Sequence, residues 1–370
     1  MEVQVLSRPF LKMTIFKKSL IYKIAGFFIS LETKEILKRI TETLEEIFNA
    51  ERVSIFRKKE DRNYLEFYTF SRGEDELKKI KIELSKGIVG WVYKNNRPLI
   101  VNDVSKSKMF YKGVDELTGF KTNSILAFPL GLKKRRYGVV EIINKKDGKF
   151  KRKDLKICEL ISPFVAIALE NAALFEKIEE MFFGMIRSFA KAVEAKDPYT
   201  SGHVERVENL SYLLAKKVGL KGNELKNAKI AGILHDIGKI GIPDEILKKP
   251  KKLTKEEYEI IKKHVLYAKE ILEPISEMKD IIPAIYYHHE RYDGKGYPEG
   301  KKGEEIPLLA RIISIVDAFD AMASDRPYRK ALSAKKIRRE FLKNKGKQFD
   351  PYLVDEFLSL REVKDILKSI

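Results

Sequence analysis

The chain has 370 residues, with 73 lysines and arginines against 54 aspartates and glutamates, so its formal net charge is +19. Apolar residues make up 44% of the sequence and aromatic residues 10%, which excludes a disordered basic tail and predicts two domains, or three small ones, each with its own core. The single cysteine, Cys158, excludes a disulfide framework and a thiolate metal cage. The positive charge indicates an anionic partner and leaves open a polynucleotide, a lipid or a small phosphate ester.

The first half of the chain mixes helical and strand-like patterns. Residues 1–32 form a basic, apolar lead-in that we expect to be helical, and lysines interrupt every run long enough to predict a membrane span. Helical periodicity predicts a helix over 33–50 and one or two long helices over 151–196. Between them, short β-branched and aromatic runs predict strands at Arg52–Arg57, Tyr64–Phe70, Lys79–Glu83, Pro98–Val101, Ser124–Leu130 and Tyr137–Asn144.

The second half is helical throughout and contains all five histidines, at positions 203, 235, 264, 288 and 289. His235 and Asp236 follow the apolar side of a helix predicted over Lys226–Ile237. Burying both side chains there without partners would be costly, and coordination of a metal would relieve that cost. A histidine–aspartate pair that faces solvent at the end of a helix is the alternative.

His264 borders the apolar side of a helix that we expect to begin with the capping box Thr254 and Glu257. A satisfied core histidine explains it equally well. His203 opens a further helix, and His288 and His289 end another before a glycine-rich loop.

Carboxylates show the same pattern as the histidines. Asp317 and Asp320 share one face of the strongly apolar helix predicted over Pro307–Ser324, and Glu194 lies on the apolar face of the 151–196 helical region. Buried carboxylates need a partner, and a cation is one.

Together these residues form a histidine and carboxylate ligand set without thiolates. Such a set suits iron, manganese, nickel or zinc in octahedral geometry rather than a structural zinc site. The ligands are too numerous for one ion, so two or three ions are expected. A pair of ions about 4 Å apart generates a bridging hydroxide and stabilises an in-line displacement at phosphorus.

Several motifs of the first half resemble, in their order, those of a GAF domain over residues 33–177. They are Gly87–Val92, Pro98–Val104, Ser124–Leu130, Gly138–Asn144 and Ala166–Ala172. The resemblance implies an α+β fold with a central antiparallel sheet flanked by helices. It also implies a regulatory module that binds a ligand, here unidentified, and dimerises through its terminal helices.

Residues 180–370 resemble the HD-GYP subgroup of the HD phosphohydrolases, an all-α fold. The resemblance is carried by His203 and by the segments His235–Asp244, His288–Pro298, Asp317–Met322 and Arg326–Arg329, including an intact Gly296-Tyr297-Pro298 triplet. It implies hydrolysis of cyclic di-GMP to pGpG, GMP or both. The metal ligands that it implies are His203, His235, Asp236, His264, His288, His289 and Asp317.

The same resemblance implies further roles. Glu194 would hold a third metal, with Asp197 as a competitor, and Lys239 and Asp236 would be catalytic. Capping of a helix end is the alternative role for Lys239. The positions that resemble substrate contacts are Tyr297, Asp320, Arg326 and Arg329, and surface charge is the alternative for the two arginines. Iron is the first expectation for the metal and manganese the next, with nickel or zinc open.

The sequence leaves other functions to be weighed against this enzyme. One is a catalytically weak sensor of cyclic di-GMP that acts through protein contacts, and another is a phosphohydrolase for a different cyclic dinucleotide. A basic nucleic-acid binder is disfavoured because the lysines are spread over both halves and no DNA- or RNA-reading motif occurs. We expect a cytoplasmic homodimer joined through the GAF domain and the connecting region 150–196, which could instead only pack against both domains.

Overall fold

A computed structural model describes residues 33–58, 63–70, 81–132, 135–196, 202–249, 251–325 and 330–370. The predicted lead-in at 1–32 lies outside the described residues. The chain divides into two compact units between Glu179 and Glu180.

The first unit is built on one antiparallel sheet in the order β3-β2-β1-β6-β5-β4. This confirms the predicted α+β fold, and every predicted strand is present within two residues of its expected bounds in the described part of the chain. The strands are β1 (Ala50–Lys58), β2 (Tyr64–Phe70), β3 (Lys81–Glu83), β4 (Leu99–Val101), β5 (Ile125–Leu132) and β6 (Arg135–Lys145). The helices are α1 (Thr33–Phe48), α2 (Gly87–Asn95), α3 (Gly113–Thr118) and α4 (Arg152–Lys196), with a 3-10 turn at Val104–Lys106.

The two faces of the sheet are covered by different helices. Along β5, Leu126 and Phe128 pack with α1 and the first turns of α4, whereas Ile125 and Ala127 pack with α2 on the other face. This alternation follows from the two-residue period of a strand, and it buries both faces of the central strands.

A small cavity of about 50 Å³ opens on the α2 side of the sheet. The Arg52 guanidinium stacks on the Phe120 ring at 4.0 Å, and Glu141 lines the same cavity from β6. Asp115 accepts hydrogen bonds from the amide and hydroxyl of Thr122 at 2.8 and 2.7 Å. Burial, with a smaller effect of Asp115, raises the pKa of Glu141 to about 7.

Replacing Glu141 should change the pH dependence of this unit's stability. Its carboxyl binds a proton more tightly in the folded state than at its ordinary pKa of 4.5, so the free energy of unfolding should fall as pH rises from about 4.5 to 7. Glu141→Gln should remove that slope and stabilise the unit at pH 8 by about 1–3 kcal/mol, less than the full shift because water reaches the cavity. Denaturant unfolding between pH 4.5 and 8 measures it.

The control for this experiment is Glu116→Gln, which changes an exposed carboxyl of the same unit. An unchanged slope in Glu141→Gln, or an equal change in the control, would contradict a raised pKa at Glu141.

The second unit is helical, as predicted. After the last turns of α4, its helices are α5 (His203–Lys217), α6 (Gly222–Leu234), α7 (Asp244–Leu247), α8 (Lys255–Lys262), α9 (His264–Leu272), α10 (Ile282–Tyr286), α11 (Leu308–Ala323), α12 (Ala334–Asn344), α13 (Pro351–Ser359) and α14 (Arg361–Ser369). Short 3-10 turns lie at Ile237–Gly241, Ser276–Met278 and Gly303–Glu305. Its two buried clusters meet at α11, which packs Phe319 into one cluster and Ile313 into the other.

Two predicted helix bounds were wrong. The helix expected over Lys226–Ile237 ends at Leu234, and a 3-10 turn starts at Ile237. The capping box at Thr254 is present, but it begins α8, which ends at Lys262. His264 starts a separate helix, α9. Both breaks fall beside histidines whose rings bond backbone carbonyls three residues earlier, so the side chains occupy the helix ends.

Helix α4 is one continuous helix of 45 residues rather than two. By length and composition alone, an apolar window within it could cross a membrane, although 39% of that window is buried in the protein. The absence of a membrane span therefore stays a prediction.

Candidate metal centre

All five histidines and two aspartates come together in the second unit, and neighbouring imidazole centroids are 3.9–5.5 Å apart. Helix ends provide most of them. The residues are His203 at the start of α5, His235 and Asp236 after α6, His264 at the start of α9, His288 and His289 after α10, and Asp317 within α11.

Four of the rings are oriented by hydrogen bonds from Nδ1. His235 bonds the carbonyl of Gly232 at 2.9 Å, and His264 and His288 bond carbonyls three residues earlier at 2.8 and 2.6 Å. His203 bonds the Asp320 carboxylate at 2.8 Å. These oxygens can only accept, so each Nδ1 donates and the Nε2 atom of each ring is directed into the cluster.

The converging Nε2 atoms fit a metal. The Nε2 atoms of His203 and His235 are 3.2 Å apart, and two lone pairs at that distance repel unless a cation or proton lies with them. The Nε2 atoms of His264 and His288 are buried and have no hydrogen-bond partner among the described residues. Buried polar atoms without partners are costly, and coordination would satisfy all four.

The pKa values of the clustered histidines also fit a bound metal. Burial and the neighbouring histidines hold the pKa values of His288 and His289 well below the ordinary value, so both stay neutral, as metal ligands must be. Burial alone would lower the pKa of His235, but the carboxylates of Asp236 and Asp317 outweigh it and raise that pKa to about 9. The centre thus draws positive charge to the His235 nitrogen, which a metal ion would supply.

The ligand atoms form two groups that meet at Asp236. One group consists of His203, His235 and Asp236, and the other of His264, His288 and His289. One oxygen of Asp236 lies 3.4 Å from His235 Nε2, and the other lies 3.6 Å from His264 Nε2. A carboxylate in this position would be a ligand common to both groups.

Asp317 and Lys239 are two further charged groups close to Asp236 and its neighbouring histidines. Asp317 Oδ1 lies 3.7 Å from His203 Nε2 and 3.9 Å from His235 Nε2. Lys239 Nζ lies 2.7 Å from Asp236 Oδ2. Burial would raise the pKa of Asp236, but Lys239 and His235 hold it well below its usual range, so Asp236 is an anion.

Gly238 allows the turn that carries Asp236 and Lys239 to lie close to His264. A Cβ at Gly238 would lie 1.9 Å from the carbonyl oxygen of His264 and 2.5 Å from the amide of Ala268. Only glycine therefore allows the 3-10 turn at Ile237–Gly241 to pack on the first turn of α9.

The loop after His289 returns to the centre through Tyr297. The Tyr297 ring stacks on His289 with centroids 4.9 Å apart and planes 30° apart. A Cβ at Gly296 would meet backbone atoms of Arg291, Glu290 and His289 within 2.6 Å, so the close return needs glycine there. The structure thus brings Tyr297 to the edge of the histidine cluster.

Asp320, which resembled a substrate contact in the sequence, lies behind His203 rather than in the open part of the centre. It is 3% exposed, and both of its oxygens are taken by His203 and by the Arg206 guanidinium, which also donates to Ser324 Oγ at 3.1 Å. A carboxylate in this position orients the His203 imidazole and would make it a more basic ligand for a metal ion.

Sequence reasoning missed Arg206. The signal that could have found it is its spacing of three residues from His203, which puts both side chains on one face of α5.

Glu194 lies near the centre without joining either ligand group. Its carboxylate accepts a hydrogen bond at 2.9 Å from the amide of Val204, in the first turn of α5, and burial raises its pKa. It lines a small cavity together with His203 and Asp236. Its competitor Asp197 and the predicted substrate contacts Arg326 and Arg329 lie outside the described residues.

Comparisons with known proteins divide the chain in the same way. The family model of the HD domain matches residues 187–353, and that of the GAF domain matches residues 32–169. Over 219 residues the chain is 37% identical to 3'3'-cGAMP-specific phosphodiesterase 2 of Vibrio cholerae. The matched segment covers 56% of this chain and 42% of the relative.

Two further relatives are similar to this chain at 39% identity. The cyclic di-GMP phosphodiesterase response regulator RpfG of Xanthomonas campestris matches over 197 residues, 52% of each chain. A cyclic di-GMP phosphodiesterase of Thermotoga maritima matches over 207 residues, 54% of this chain and 56% of its own. The chain spans about half the length of these curated relatives.

Removing the carboxylate behind His203 should weaken metal binding without removing a ligand. Asp320→Asn should lower metal affinity about 10–100-fold, because the amide no longer fixes or polarises the imidazole. Metal content by elemental analysis and titration of the metal-free protein measure it. Asp365→Asn, on the exposed surface of α14, is the control. Equal metal affinity in both variants would show that Asp320 does not orient His203.

Proposed function

We propose that this chain, which carries a GAF domain followed by an HD domain, is a metal-dependent phosphodiesterase that hydrolyses cyclic di-GMP to pGpG, GMP or both. The observation that carries the proposal is the pair of ligand groups that meet at Asp236, with imidazole nitrogens converging from five positions. The names of the similar relatives support the substrate class, since all three are phosphodiesterases of cyclic dinucleotides.

The proposed ligands fall into the two groups seen in the structure, with Asp236 shared and Asp317 beside the first group. Bound metal ions would activate water and polarise the phosphoryl oxygens, so the reaction needs no side-chain nucleophile. The chain's own contribution is to hold the imidazoles in one tautomer and orientation. Asp320 and Arg206 do this for His203, and backbone carbonyls do it for the other three oriented rings.

Lys239 is placed to act on the scissile phosphate. Its ammonium lies 2.7 Å from Asp236, and 19% of its side chain is exposed, so it stands at the centre with access to solvent. There it can hold a phosphoryl oxygen and offset the negative charge that develops during displacement. We assign Lys239 and Asp236 as the catalytic residues.

The substrate-binding part of the proposal rests on Tyr297. Its ring is stacked on His289 beside the cluster, where it offers an apolar face to a base or sugar. Arg326 and Arg329 are proposed to bind phosphate or base from outside the described residues. The names of the relatives include both cyclic di-GMP and cGAMP, so the two dinucleotides must be compared directly.

The metals are proposed to be two or three transition-metal ions. Iron is the first candidate and manganese the second, because the donors are imidazole nitrogens and carboxylates without sulfur. Nickel and zinc also accept these donors. A third ion would be held by Glu194, whose carboxylate accepts a hydrogen bond from the amide of Val204, or by its competitor Asp197.

The GAF domain is proposed to regulate this activity. Its cavity combines aromatic walls, the Arg52 guanidinium and the protonatable Glu141, which suits a small ligand with both apolar and hydrogen-bonding parts. We further propose that the protein is a cytoplasmic homodimer joined through the GAF domain and α4. The single buried Cys158 is in keeping with that compartment.

Two substitutions separate metal binding from chemistry. Asp236→Ala should lose bound metal and cyclic di-GMP hydrolysis together, because the carboxylate common to both groups is gone. Lys239→Ala should keep its metal and lose activity by about 10²–10³-fold, as for removal of one charge-stabilising group. Lys248→Ala is the matched control, since it removes an exposed lysine just after α7 and should keep both metal and activity.

Anaerobic protein should be assayed with cyclic di-GMP and with cGAMP, with and without a chelator, and analysed for metal. Turnover that resists metal removal would overturn the proposal. Tight binding of cyclic di-GMP by metal-loaded protein without turnover would instead favour the sensor. Faster hydrolysis of cGAMP would reassign the substrate.

A further inference from the structure

The last turn of α4 lies in the second unit and ends on a lysine with three oxygen contacts. Lys196 Nζ donates hydrogen bonds to the carbonyl oxygens of Ile240 and Ile242 at 2.8 and 2.7 Å. It also lies 3.3 Å from Asp244 Oδ1. A lysine ammonium has three donors and no acceptor, so the three oxygens around it match its donors.

The carbonyls that Lys196 binds belong to the 3-10 turn Ile237–Gly241 and to the residue after it. This turn starts directly after Asp236, and its middle residue is Lys239, whose ammonium lies 2.7 Å from the Asp236 carboxylate. The amide of Ile242 donates to the carbonyl of Lys239 at 3.0 Å, so the end of the turn is bonded to the backbone of Lys239. A shift at this end would therefore move Lys239.

Another side of the same turn packs on α9 through its glycines. A Cβ at Gly241 would lie 2.6 Å from the Tyr267 ring, just as one at Gly238 would meet the backbone of His264. Such contacts resist closer approach, but each attracts only weakly. The bonds from Lys196 are directional and charge-assisted, so they fix where the turn lies along α9.

The end of α4 is itself anchored by contacts that do not involve Lys196. Val193 is 5% exposed and packs in a buried cluster with Val204 and Ile237. Glu194 accepts a hydrogen bond at 2.9 Å from the amide of Val204, at the start of α5. Lys196 therefore extends from a backbone that is fixed by neighbouring residues, and its bonds tie the turn to that fixed point.

We propose that Lys196 is a positioning residue for the phosphodiesterase reaction, because it fixes the turn that places Lys239 beside Asp236. The inference rests on the proposed function and adds to it a residue outside the proposed metal ligands and substrate contacts. The alternative is that Lys196 only stabilises the fold through its ion pair with Asp244. Asp244 is 53% exposed, so that pair is weak, and the two carbonyl bonds are the main interaction.

The first test is amide hydrogen exchange of the full chain with Lys196→Met. Methionine keeps an unbranched apolar stem and has no donor, so the amides of residues 237–242 should exchange at least about tenfold faster. Amides of α11 should exchange as in wild type. Lys248→Met is the control, since it removes the other lysine on Asp244, at 2.8 Å, and leaves both carbonyl bonds. Unchanged exchange at 237–242, or an equal increase in α11 or in the control, would overturn the proposal.

The second test is a double-mutant comparison of turnover. Lys196→Met should lower kcat for cyclic di-GMP about 10–100-fold with metal content unchanged, since a misplacement of about 1 Å costs up to about 100-fold. Lys196→Arg should recover most of this loss, because a guanidinium also donates to carbonyls. Adding Lys196→Met to Lys239→Ala should lower kcat by less than about threefold more, because the residue that Lys196 positions is already gone.

The outcomes separate this inference from the proposed function. Losses that multiply in the double variant, or a wild-type kcat in Lys196→Met, would overturn the positioning of Lys239. Loss of metal from Lys196→Met would also overturn it, because the effect would then reach the ligand Asp236. Wild type that hydrolyses no cyclic dinucleotide would overturn the proposed function and the catalytic part of this inference. Exchange at residues 237–242 would still decide whether Lys196 holds the turn.

Discussion

The second unit depends on one repeated interaction, a hydrogen bond from imidazole Nδ1 to a fixed acceptor. In His235, His264 and His288 the acceptor is the carbonyl three residues earlier, so the backbone itself orients the ring. In His203 the acceptor is Asp320, which Arg206 holds in turn. Each Nδ1 donates to its acceptor, so the four Nε2 atoms converge at short distance. A cation bound between them would satisfy their lone pairs. The positions of the helix ends follow from the same bonds.

The sequence predicted the residues of the centre better than their arrangement. Histidines and aspartates beside apolar helix faces could be identified from periodicity, since burying them alone is costly. Periodicity could not show that α6 stops at Leu234 or that α8 and α9 are separate, because those breaks depend on ring-to-backbone bonds and on the close approach at Gly238. It put Asp317 and Asp320 on one face of α11, but which of them points to Nε2 and which to Nδ1 of His203 depends on packing against α5.

The strands of the first unit were predictable because each is a short β-branched or aromatic run between turn residues. The chemistry of that unit was not. Glu141 lies between β-branched residues of β6, and this pattern does not indicate that the side chain lines a cavity or has a raised pKa. Periodicity predicted helical structure over α4, but only the structure shows which of its apolar side chains the protein buries and which it leaves exposed.

The uninterrupted course of α4 has a consequence for how such a protein can change in length. Each residue in a helix turns the next by about 100°, so inserting or deleting one residue within α4 would rotate every later side chain and carry buried positions such as Ile186 out of their core. A change of seven residues returns the later side chains to within about 20° of their original direction, whereas a change of three or four residues leaves a larger rotation. Related sequences with longer or shorter connecting helices are therefore expected to differ in whole heptads.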